Sequence, residues 1–310
     1  MENKNLIRAN SVARALAIVG DRWSLLILGG AFQGMRRFSD WRSGIGIASN
    51  ILTNRLNRLS RAGCFRKVKA SQDNRRQEYR LTQMGHDLYP TALMFWRFDR
   101  LWSGQRGLQS ATLSHTGCGD DIHPEIVCSA CRKPIKARDV RYEDGPGAGF
   151  EKMPPPKLSR RSRPAVAENG RKQTLFGESV DVLGDRWTQL VLASFFLGAH
   201  RYDEILRHWN IATNILSSRL KTLVETGMLQ RRLYQRGPDR YEYILTPKGM
   251  DIYPIVVAMT QWGDNWLAGR SGVPLLLHHR PCGEPLRSVA VCDRCGGELL
   301  PHEVVFLSRS

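Results

Sequence analysis

The chain carries one helical phrase twice. "GDRWSLLILGGAFQGMRRF" runs from Gly20 to Phe38, and "GDRWTQLVLASFFLGAHRY" from Gly184 to Tyr202. Asp21 and Asp185 lie 164 positions apart. The same offset joins Trp23 to Trp187, Asn50 to Asn214, Arg55 to Arg219, Gly63 to Gly227, Tyr79 to Tyr243 and Pro90 to Pro254. It still holds at His115 with His279, and at Cys118, Cys128 and Cys131 with Cys282, Cys292 and Cys295. An ungapped register over roughly 130 positions, about a quarter of them identical, marks duplication of a whole module rather than a short solenoid repeat. A chain of 310 residues is long enough for two such domains.

Within one copy, apolar positions at helical spacing (Val12, Leu16, Val19, Trp23, Leu26, Ile27) predict a helix over 11–33, stopped by Gly34. "RRFSDWRSGIGI" predicts a short second helix. "ASNILTNRLNRLSRAG" predicts a third, with Ile51, Leu52, Leu56 and Leu59 on its apolar face and Gly63 closing it. The period then changes from 3.6 to 2, so "CFRKVKA" and "QEYRLT" predict two strands around a basic turn. A long apolar helix over "TQMGHDLYPTALMFWRFDRLW" follows, with its apolar face as the packing surface between units. Helix, helix, helix, hairpin, helix is the order of a winged helix-turn-helix.

Such a unit docks its third helix on the first two and offers the other face to the major groove. Candidate groove residues are Ser49, Asn50, Thr53, Asn54 and Arg58 in copy one, and Thr213, Asn214, Ser217, Ser218 and Lys221 in copy two. Asn pairs bidentately with adenine, which singles out Asn50 and Asn214. Arg75 and Arg76, with Arg236 and Arg240, would bring the hairpins onto phosphates or into the minor groove. Arg37 and Arg201 stand at the start of the second helix, where a helix N-terminus favours phosphate. Arg55 and Arg219 lie near the apolar seam and suit bridging between helices or reaching backbone phosphate rather than reading bases. Trp23 and Trp187 read as core. Any of the polar residues could instead be an ordinary solvated side chain.

Together "GDRWSLLIL", "GMRRFSDW", "ILTNRLNRLSRAG", "EYRLTQMGHDLYP" and Trp102 resemble the HxlR-type family of bacterial winged-helix transcriptional regulators. "GDRWTQLVL", "GAHRYDEI", "ILSSRLKTLVETG", "YEYILTPKGMDIYP" and Trp266 repeat the match. The resemblance covers roughly 10–104 and 174–268. It implies double-stranded DNA as partner, repression as the common outcome, and paired winged units acting as a homodimer or, here, as an intramolecular pseudo-dimer. Some members sense oxidants through a cysteine before the first helix. The matching positions here are Asn10 and Thr174, so that thiol is missing from both copies.

Each copy ends in H-x2-C-x9-C-x2-C. Three thiolates and an imidazole make a tetrahedral structural zinc set. The spacing predicts one site per copy: His115, Cys118, Cys128 and Cys131, then His279, Cys282, Cys292 and Cys295. His278 or His123 could replace a histidine ligand. Two alternatives stand beside zinc: a redox-active C-x2-C dithiol, which would make a redox-sensing regulator or, remotely, an oxidoreductase, and reduced cysteines in a metal-free hairpin. Cys64 reads as a small buried apolar residue.

The expected fold is therefore α+β and mainly helical: two winged helix-turn-helix domains in tandem, each followed by a small Cys-rich zinc-ribbon-like β tail. Expected bounds are 1–106, a tail over 107–140, a flexible basic linker over 141–173, a second domain over 174–270 and a second tail over 271–310. The 46 basic against 29 acidic side chains leave a net +17, which favours a polyanion partner. No apolar run reaches the length of a membrane span, and the N-terminus lacks a signal-peptide core. A cytoplasmic, nucleoid-associated location follows. No Gly-rich phosphate loop, Ser-His-Asp set or H-E-x-x-H motif is present, so no enzyme is expected.

Overall fold

In the computed structural model, residues 6–70, 73–102, 111–152, 177 and 179–308 are described; the side chains of 70, 73–76, 111 and 308 are outside that description. The first half runs β1 (Leu6–Arg8), α1 (Ser11–Val19), α2 (Arg22–Phe32), α3 (Phe38–Ile45), α4 (Ser49–Arg61), β2 (Phe65–Ala70), β3 (Asp73–Leu81), α5 (Gln83–His86) and α6 (Tyr89–Trp102). Its tail holds β4 (Ala111–His115), β5 (Asp121–Ile122), β6 (Pro124–Cys128), β7 (Val140–Asp144) and β8 (Phe150–Lys152). The second half runs α7 (Ser179–Leu183), α8 (Arg186–Phe196), α9 (Tyr202–Trp209), α10 (Thr213–Glu225), β9 (Leu229–Gln235), β10 (Arg240–Leu245), α11 (Pro247–Met250) and α12 (Tyr253–Leu267). Its tail holds β11 (Leu275–His279), β12 (Ser288–Cys292) and β13 (Val304–Ser308).

The helix expected over 11–33 is two helices. Gly20 ends α1, and Asp21 starts α2 as an N-cap, its carboxylate accepting the Ser24 N–H at 3.2 Å and the Ser24 hydroxyl at 2.6 Å. A capping carboxylate satisfies amides that an unbroken helix would have bonded internally, so the polar group inside an apolar pattern sets the break. The helix expected after the hairpin is likewise divided, by a turn between His86 and Tyr89. Leu52, Leu56 and Leu59 are fully buried under α4, and Trp41, Trp96, Trp209 and Trp262 anchor the cores. Trp23 and Trp187 are only partly buried, each beneath the guanidinium of Arg22 or Arg186.

The two halves interlock about a pseudo-two-fold axis. Asp21 pairs with Asp185, its own counterpart, in an isolated bridge. Antiparallel β6–β12 is centred on Ile126 opposite Ala290, again counterparts. The first helix of each half packs on the last helix of the other: α1 on α12, α7 on α6. α6 also meets α12. Where α12 crosses α1, a Cβ on Gly263 would stand 2.4 Å from the Ser11 carbonyl oxygen, so only glycine permits this approach. Reciprocal hydrogen bonds close the seam: Trp102 donates to Asp251 at 2.8 Å, and Trp266 to Asp87 at 3.0 Å. Asp99 on α6 accepts the backbone N–H and hydroxyl of Ser179 at 2.8 and 2.6 Å, capping α7 across the seam.

The tails depart from expectation. They are not self-contained ribbons but exchange strands: β4 of the first half pairs with β13 of the second, and β11 of the second with β7 of the first. The segment read as linker from 141 begins as structure, since Val140–Asp144 pairs with β11 and Phe150–Lys152 pairs with β1. Gly, Pro and charge mask the short apolar alternation there. Positions 153–173 of the expected linker lie outside the described residues.

Candidate nucleic-acid interface and metal centres

α4 and α10 occupy the third-helix position of each unit. Ser49, Asn50, Thr53 and Asn54 are exposed on α4, as are Thr213, Asn214 and Ser217 on α10; Ser218 is half-buried. The opposite stripe (Leu52, Leu56, Leu59; Leu216, Leu220, Leu223) is buried, so docking leaves these polar groups facing outward. Asn50 and Asn214 each accept the following residue's N–H through the side-chain oxygen, at 2.9 Å. Thr53 bonds the Ser49 carbonyl, Asn54 accepts from Arg55 at 2.8 Å, and Ser217 meets the Tyr202 hydroxyl at 3.1 Å.

One groove candidate, Arg58, needs correction. Arg58 turns inward: its guanidinium bonds the Asp21 carboxylate at 3.3 Å and the Ala17 carbonyl. An arginine committed to a half-buried carboxylate is not poised over a base edge. Lys221 is exposed and pairs with Glu225 one turn on, but its counterpart is Asn57; the position matching Arg58 is Thr222. The Asp21 carboxylate also takes Arg55 Nε at 2.7 Å, and Asp185 takes Arg219 Nε in the same way. Each third helix is thus tied to the aspartate on the pseudo-two-fold axis. Helical spacing marks the arginines but not their partner, whose signal is the pair of Gly-Asp-Arg-Trp phrases.

Arg37 and Arg201 precede α3 and α9. At each N-cap a first-turn carboxylate reaches back: Asp40 accepts the Arg37 N–H at 2.8 Å, and Glu204 accepts those of His200 and Arg201, both at 2.9 Å. Those amides hold the Glu204 carboxyl below the usual range. The Arg37 side chain lies 3.5 Å from Glu78, and that of Arg201 stacks 4.3 Å over Tyr234. In the second hairpin Arg236 and Arg240 are exposed, Arg231 lies 4.0 Å over Tyr241, and Arg232 pairs with Glu242. The side chains of Arg75 and Arg76, on the first hairpin, lie outside the described residues. So does Thr174; Asn10 is the N-cap of α1.

All eight predicted metal donors converge, but in exchanged sets. One contains His115, Cys118, Cys292 and Cys295; the other contains Cys128, Cys131, His279 and Cys282. The donor atoms of each set lie within 4.8 Å of one another. Sγ of Cys118 is 3.8 Å from Sγ of Cys292, and Nδ1 of His115 is 3.6 and 3.4 Å from Sγ of Cys118 and Cys295. Cys128 and Cys282 are 3.9 Å apart, and Nδ1 of His279 is 3.3 and 3.4 Å from Cys131 and Cys282. The one-site-per-copy pairing is therefore overturned, because β6 and β12 pair across the axis and each delivers its C-x2-C to the other tail's histidine. His123 binds Asp293 and His278 faces Glu143, so neither stands in for a ligand. The Lys133 and Gly297 amides draw the Cys131 and Cys295 thiols below their ordinary range. Cys64 is fully buried and pushed up to about 12 by that burial.

The HxlR-like helix-turn-helix family matches residues 18–106 and 182–271, more than half of the chain. The chain belongs to that family. Curated relatives each match less than half of this chain. An HTH-type transcriptional regulator of Mycobacterium bovis, Mb3122, is 38% identical over 128 residues, covering 41% of this chain and 81% of its own length. YvaP of Bacillus subtilis, also an HTH-type transcriptional regulator, is 34% identical over 93 residues, covering 30% of this chain and 86% of its own. The crystal structure of PA1607, described as a transcription factor, shares 30% identity at a TM-score of 0.40, over 47% of this chain and 97% of its own. As a member of that family, this chain is a helix-turn-helix DNA-binding transcription regulator. No described helix is long and apolar enough to cross a membrane.

Proposed function

We propose that the chain is a sequence-specific repressor in which two winged units on one polypeptide act as an intramolecular pseudo-dimer. The observation that carries this is the pair of third helices, each exposing an Asn-bearing polar face and each tied through Arg55 or Arg219 to the aspartates on the axis. Helices related by a two-fold present themselves to successive major grooves, about 34 Å apart along the duplex. Because Ser49, Asn50, Thr53 and Asn54 differ from Thr213, Asn214, Ser217 and Ser218 at three of four positions, the two half-sites need not be identical. The domain bounds given above serve this reading, with the tails joined rather than separate. Zinc suits the two Cys–His clusters as a structural ion. Selection from random duplex DNA at moderate salt tests the function. Enrichment of one bipartite sequence is expected, and a pool no different from the input would overturn it.

A further inference from the structure

The tails bring eight donors to two places, and neither place belongs to one module. Each takes a His-x2-Cys pair from one half and a Cys-x2-Cys pair from the other. A tetrahedron with Zn–S bonds of about 2.3 Å has S···S edges of about 3.8 Å. The Cys118–Cys292 and Cys128–Cys282 separations are 3.8 and 3.9 Å, far from the 2.05 Å or so of a disulfide. Amide N–H groups of Arg294 and Gly297 point at Sγ of Cys292 and Cys295, at 3.3 and 3.4 Å, as thiolate ligands require. Cys128, Cys292, His115 and His279 are buried, so without an ion their sulfur and nitrogen atoms would be packed together with little to hold them.

We infer that the chain binds two zinc ions, each shared between the halves, so that the metal is a clasp across the pseudo-two-fold axis rather than a staple within a module. Three thiolates and one imidazole select zinc among common divalent ions. The clasps flank β6–β12, and Gln261 on α12 bonds the Ser288 N–H and carbonyl at the start of β12. Metal thus locks the tails, and through α12 the winged units, to one spacing. The metal chemistry stands apart from the repressor reading; only the purpose of the clasp rests on it.

Zinc content of paired variants separates shared from separate sites. Protein is purified from zinc-supplemented cells, passed over a mild chelator, and analysed for metal per chain. The wild type is expected to hold two equivalents. Cys118→Ala with Cys295→Ala falls within one shared site and should leave one. Cys118→Ala with Cys128→Ala strikes both shared sites and should leave none. The reverse pattern would establish separate sites and overturn the inference, and a zinc-free wild type would overturn zinc altogether while leaving DNA selection untouched. Should the variants fail to fold, the wild-type cysteines serve. A protease site is placed in the 153–173 segment, the chain is cut, metal is removed, and diamide oxidises neighbouring thiols. Peptide mapping of the disulfides then decides: Cys118 or Cys282 joined to a cysteine of the other fragment supports sharing, whereas Cys118 joined to Cys128 or Cys131, or Cys282 to Cys292 or Cys295, contradicts it.

Discussion

Duplication leaves single residues whose counterparts have diverged, and these expose what each group contributes. The Tyr253 hydroxyl meets that of Tyr142 at 2.7 Å. Among the described residues its counterpart Tyr89 finds no such partner, because the position matching Tyr142 is Phe306. Tyr142→Phe should therefore cost about 1 kcal/mol in denaturant unfolding, by stranding the Tyr253 hydroxyl, whereas Tyr89→Phe should be neutral or stabilising. Asp264 gives a pH signature. Burial raises its carboxyl from 3.8 to about 6, against the Ser11 hydroxyl and Arg14, which pull it down. The folded state thus holds this proton more tightly than the unfolded chain. The favourable contribution is complete below about pH 4 and is lost as pH rises through about 6. Asp264→Asn should remove that part of the slope, so its stability relative to wild type should climb between those limits and then level off. Neither effect is visible in sequence, since both depend on which residue of the other half stands opposite.

At the scale of elements, the third helix and the hairpin divide the work of recognition. Asn50→Ala and Asn214→Ala should each weaken binding to the selected sequence by about 1–3 kcal/mol and leave binding to scrambled duplex nearly unchanged. Arg236→Ala and Arg240→Ala should weaken both alike and lower the salt slope by about 0.9 for each phosphate no longer neutralised. Asp21→Ala removes a cap and frees Arg55 and Arg58, so it should cost about 1–2 kcal/mol of stability and loosen α4. These elements were largely legible in sequence. The buried stripe Leu52, Leu56, Leu59 announced α4, and the change of period after Gly63 announced the hairpin. The break at Gly20–Asp21 was hidden, because apolar spacing continues through it and only the capping geometry reveals two helices. The inward turn of Arg58 was hidden for a related reason: periodicity places a side chain on a face but does not say that a carboxylate from another helix's cap will claim it.

For the whole molecule, the offset of 164 foretold two equivalent units but not how they meet. Spacing alone grouped the metal donors within each copy. The exchange of β4 with β13 and β7 with β11 regroups them, and no local pattern encodes whether a strand pairs within its own copy or with the equivalent strand of the other. The same exchange makes one chain a closed two-fold object, with α1 on α12, α7 on α6 and Asp21 beside Asp185. Footprinting a selected fragment, with the protein-to-DNA ratio counted, tests this most directly. A pseudo-dimer predicts one chain per site and two protected major-groove segments on the same face, one helical turn apart, about 10.5 base pairs from centre to centre. Protection of a single groove by one chain, or two chains needed for every site, would contradict it.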